Sequence, residues 1–63
     1  MFKKEHIDAV FGVLNSDYKN HKDSEQLHRD AHLAIAYIDA NKNVPTNTDP
    51  IVVTLLNKYG PKD

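Results

Sequence analysis

The stretch DPIVVTLLNKYGP, residues 49–61, decides the fold class. Its middle, Ile51-Val52-Val53-Thr54, is β-branched and taken alone reads as a strand. Its ends argue for a helix. Asp49 is a good N-cap, because its side-chain oxygen can accept from a backbone N–H left unpaired in the first turn. Pro50 then falls at the first helical position, where a missing N–H costs nothing. Gly60 can take up a left-handed cap conformation, and Pro61 prevents continuation. Val52, Leu55 and Tyr59 lie on one side, flanked by Ile51 and Leu56. The stretch is read as a short helix over residues 50–59, and the chain as all-α.

Working back, Asn41 to Thr48 holds three asparagines, Pro45 and two threonines, all turn or cap formers. It reads as a loop, with Val44 tucked inward as an anchor. Upstream, Asp23 is expected to cap a second helix over residues 24–41, with Gln26 completing a capping box. Leu27, Ala31, Ala34, Ile35 and Ile38 form its inward stripe. Ala31 to Ala40 contains four alanines and neither glycine nor proline, which favours helix. A first helix is expected over residues 3–19. Ile7, Val10, Phe11, Leu14 and Tyr18 recur there at three- and four-residue spacing. Glu5 and Asp8 near its start and Lys19, His21 and Lys22 near its end suit the helix dipole. The short connection that follows favours antiparallel neighbours. The expected architecture over residues 1–63 is a single small three-helix bundle, a helical hairpin plus a shorter third helix.

A 63-residue chain builds only a small core, worth a few kcal/mol of net stability. With no cysteine, disulfides and thiolate zinc sites are excluded. Regular packing, a partner or a histidine-based metal site remain as supports. Eight basic residues face nine acidic ones, and Arg29 is the only arginine. The lysines are interleaved with acids, so no basic face for phosphates emerges and no nucleic-acid partner is expected. A helix-turn-helix-like DNA binder, with the third helix as reader, is kept as an alternative. Its weakness is that this helix carries only Lys58, near its C-terminus. No apolar stretch approaches the roughly 20 residues that cross a bilayer, and the first residues lack a signal-peptide core. The expectation is a cytoplasmic protein with no membrane insertion.

Chemistry finds little support. Ser16, Ser24 and the threonines have no glycine-framed elbow around them. Asp23 and Glu25 are sufficiently explained as helix-start charges. A bundle this small has difficulty enclosing a substrate. No catalytic residue, cofactor or enzyme activity is expected. The sharpest alternative is a metal site at His28 and His32, four apart on one helix, the spacing that offers two imidazoles to one ion. Further ligands would have to come from His6, His21 or another copy of the chain.

The leading expectation is a non-enzymatic protein-interaction module. Gly12 sits inside a helix at a cost of about 1 kcal/mol, which close approach of another backbone would offset. Val13 stands beside it. On the second helix Leu33, Ala36 and Tyr37 lie off the inward stripe, with Ala40 one turn on. These residues, Gly12, Val13, Leu33, Ala36 and Tyr37, are the candidate contacts, for self-association or for docking on a larger protein. The layout of short helices, an asparagine-rich loop with proline and a short last helix resembles the end of bacteriocin-immunity helical bundles. The interaction module would act as a small regulator, inhibitor, adaptor or immunity-type factor, and the last of these is what the resemblance implies.

Overall fold

The computed structural model describes residues 1–62; Asp63, the end of the expected domain, lies outside the described residues. Three helices make up the fold: α1 Lys4–Asp17, α2 Ser24–Asp39 and α3 Pro50–Tyr59. There is no strand among the described residues. The chain is a small all-α three-helix bundle in which each helix touches the other two.

The β-branched run of α3 is helical because its ends are fixed. The Asp49 carboxylate accepts the Ile51 N–H at 2.9 Å, and Pro50 follows as the first helical residue. The other end stops differently from expectation. Gly60 is extended (φ −75°, ψ 174°), not left-handed. A Cβ there would run into the Leu56 carbonyl oxygen and lie 3.1 Å from the Phe2 ring. Glycine is needed for close approach, not for a positive φ. The left-handed residue is Asn41, at φ 59°, just past α2. The Asn41 N–H donates to Ile38 and the Lys42 N–H to Tyr37, at 3.0 and 2.8 Å, which is a Schellman stop.

The expected capping box at the start of α2 is absent. Asp23 makes no side-chain cap bond, because its backbone (φ −103°, ψ 23°) is already turned toward the helical region. Gln26 instead donates to Asp30 at 2.7 Å. Helix α1 ends at Asp17, earlier than expected, so Lys19, His21 and Lys22 fall beyond its last turn. Tyr18 leaves the helix at φ −122° and packs against the core. The α1–α2 connection is correspondingly longer, residues 18–23.

Val10, Leu14, Leu27, Ala31, Ala34 and Val52 are fully buried and form the centre, with Ile35, Leu55, Leu56 and Phe2 around them. Ile7, Phe11, Tyr18, Ile38, Val44, Ile51 and Tyr59 pack on this cluster as half-buried residues. Val13 does the same. Phe2 was not legible as core, because it precedes the periodic part of α1.

Side-chain bonds fix the directions. The Phe2 N–H donates to Asp39 at 2.9 Å, while Asn15 meets His28 at 2.7 Å. The start of α1 therefore lies by the end of α2, and the two run antiparallel. The Asp49 N–H donates to Asp30 at 3.1 Å, and Gly60 touches Phe2. Helix α3 thus begins beside the middle of α2 and returns to the start of α1. The loop over residues 40–49 has to run back along α2 to allow this, which explains its length.

Candidate functional site

The outer face of α2 carries the most exposed apolar surface inside a helix. Its periodicity puts Leu27, Ala31, Ala34 and Ile35 inward, which leaves Leu33, Ala36 and Tyr37 outward. Neither α1 nor α3 covers them: Leu33 is 51 % exposed and Tyr37 37 %. Together with Ala40 and Lys42 they line an open depression of about 320 Å³. The Schellman stop builds its far end, since it folds Lys42 back toward Tyr37. Arg29 is exposed one helical turn before Leu33, on the same face.

Gly12 and Val13 do not line this depression. Gly12 is exposed, and a Cβ there would have nothing within 4 Å. No backbone of this chain approaches it. Val13, expected to face outward, is half-buried against the core. The five residues expected as one contact set therefore separate into an exposed α2 group and a distinct pair on α1.

The four histidines each have a local structural role. His6 Nδ1 accepts the Lys3 N–H at 3.1 Å, half of a capping box with imidazole in place of glutamate. His21 Nδ1 accepts the Asp23 N–H at 3.2 Å and shapes the α1–α2 turn. His28 spans the two helices, with Nδ1 2.7 Å from the Ser24 carbonyl oxygen and Nε2 2.7 Å from the Asn15 side-chain oxygen. His32 lies against Phe11, ring centroids 4.5 Å apart, with His28 at 5.8 Å from the same ring. A metal at the His28–His32 pair would require His28 to release one of its two partners. Among the described residues no group of three His, Cys, Asp or Glu side chains is placed to hold an ion. Asp39 is engaged by Phe2 instead.

Sequence reading also missed Asp30. Half-buried, it accepts from Gln26 with one oxygen and from the Asp49 N–H with the other. It ties α2 to the start of α3. Only its position three residues after Leu27 hinted at a boundary role.

Elsewhere, Tyr18, Pro50, Ile51, Thr54 and Leu55 line a second open depression of about 280 Å³. Val53 is exposed singly on α3. Lys58, the only basic residue of α3, lies over the Tyr59 ring at 5.3 Å. No polar or charged side chain is buried among the described residues. No helix is long and apolar enough to cross a membrane among the described residues. No protein-family model matches the chain, and neither a curated protein nor a solved structure is significantly similar to it.

Proposed function

We propose that the chain is a non-enzymatic protein-interaction module that docks through the outer face of α2. One observation carries this reading: Leu33 and Tyr37 stay exposed, side by side, on a helix whose other large apolar residues are packed. Single exposed apolar residues are ordinary, but here two share a depression with Ala36 and Ala40. Tyrosine is one of the residue types that carry most of the affinity of a protein contact when buried, and Leu33 would add apolar area beside it. A cytoplasmic regulator, inhibitor, adaptor or immunity-type factor is the corresponding role.

The test is a pull-down from the native host with the wild-type chain and with Leu33→Asp. An aspartate at the contact must be desolvated without a partner, whereas on the free surface it stays hydrated. A host protein held by the wild type and lost with the folded variant supports the reading. Equal capture by both removes the α2 face from the interaction.

A further inference from the structure

We propose, resting on the docking reading above, that the partner on the outer face of α2 is a second copy of this chain, its α2 running antiparallel to the first. Leu33, Ala36, Tyr37 and Ala40 line the apolar part of this face. The charges around it are mixed. Glu25 and Arg29, both exposed, stand two turns and one turn before Leu33. Exposed Lys42 lines the far end, folded back with its N–H on the Tyr37 carbonyl. Asp30 and Asp39 are half-buried at the sides and keep their charges, one bonded to the Asp49 N–H and the other to that of Phe2. Such a face has no net positive or negative field that would select an acidic or a basic partner. It has an order instead: negative, positive, apolar, positive. That order complements itself when reversed.

A two-fold axis at the level of Leu33 sets Leu33 against Leu33 of the other copy. Every other residue then comes level with the one equally far beyond Leu33. Arg29 falls level with the other copy's Tyr37, whose ring face can take a guanidinium. Glu25 falls level with the Asn41–Lys42 end, where it meets an opposite charge. One register serves all three pairings, and the symmetry makes the two charged ones twice. Asp30 falls level with Ala36, but its carboxylate is turned to Gln26 and to the Asp49 N–H of its own chain. A parallel pair would set Glu25 on Glu25 and Arg29 on Arg29, and like charges oppose association. The contact is one helix face on each side, at the small end of specific interfaces. The dimer should therefore be weak, with a dissociation constant of roughly 1–100 µM.

Sedimentation equilibrium of the full chain at low salt, up to about 1 mM, tests this. The wild type should dimerise, and Leu33→Asp should be monomeric. Glu25→Lys and Lys42→Glu should each weaken the dimer about fivefold or more, because each sets two pairs of like charges together. An equimolar mixture of these two variants should recover the wild-type affinity, since in the mixed dimer every charged pair is again opposite in sign. All three substituted residues are exposed, and circular dichroism checks that each variant is folded. A mixture no tighter than the single variants overturns the antiparallel pairing, while loss of the dimer with Leu33→Asp would keep the docking face. A dimer that Leu33→Asp leaves intact overturns the proposal, because the contact then lies elsewhere. A wild type that stays monomeric throughout also overturns it. If the pull-down above still loses its host protein with Leu33→Asp, the docking face stands with a different occupant.

Discussion

Gly12 and Gly60 make opposite demands on the same residue type. Gly12 is exposed inside α1, with open space where a Cβ would stand. Gly12→Ala should therefore raise stability by about 0.5–1 kcal/mol, through helix propensity and a less flexible unfolded chain. A urea midpoint that fails to rise would show that alanine meets an obstacle absent from this structure. Gly60 has the Leu56 carbonyl and the Phe2 ring where its Cβ would go. Gly60→Ala should lower stability by about 1–3 kcal/mol as the neighbours are forced apart. Retained stability would mean that Phe2 does not pack under the end of α3. From sequence, Gly60 was legible as a helix stop because that signal is local. Its true constraint was not, since it joins the two ends of the chain. The histidines were illegible for a related reason: a histidine's role depends on what faces each ring nitrogen, and spacing four apart did not reveal that both nitrogens of His28 face partners within this chain.

Helices α2 and α3 start where their local signals put them, at Ser24 and Pro50, but only one of the two caps bonds through its side chain. Asp49 caps an amide two residues away, and α3 spans the expected residues 50–59. At α2 the helix starts at Ser24 behind Asp23 as expected, but the side-chain bonds of the capping box do not form, and Gln26 bonds Asp30 instead. The two aspartates therefore separate in a denaturation series. Asp49→Ala should cost about 0.5–2 kcal/mol, and Asp23→Ala should stay within about 0.5 kcal/mol of wild type. Equal losses would restore Asp23 as a cap. The helix lengths were legible to within a turn, and the packing of Tyr18 on the core was legible too, but its exit from α1 was not. Tyr18 leaves the helix to pack on the core, a tertiary choice with no local marker.

At the scale of the whole molecule, alternation of apolar stripes was enough to place the centre of the bundle. The stripes of α1 and α2 supply Val10, Leu14, Leu27, Ala31, Ala34 and Ile35, all buried. The direction of α3 was not legible, because it rests on Asp30 and Gly60 reaching across the fold. The candidate site was half legible. Leu33, Ala36 and Tyr37 could be found as residues off the α2 stripe, whereas the separation of Gly12 and Val13 depends on how α1 sits on its neighbours. The central claim is that the α2 outer face is free surface and its opposite face is core. Equilibrium unfolding of Leu33→Asp beside Ile35→Asp measures that directly, since Leu33 is 51 % exposed and Ile35 only 8 %. Leu33→Asp should keep the helical spectrum and lie within about 0.5 kcal/mol of wild type. Ile35→Asp should abolish cooperative folding, because it buries an unpaired charge. Loss of folding in both variants would make Leu33 part of the core and contradict the account.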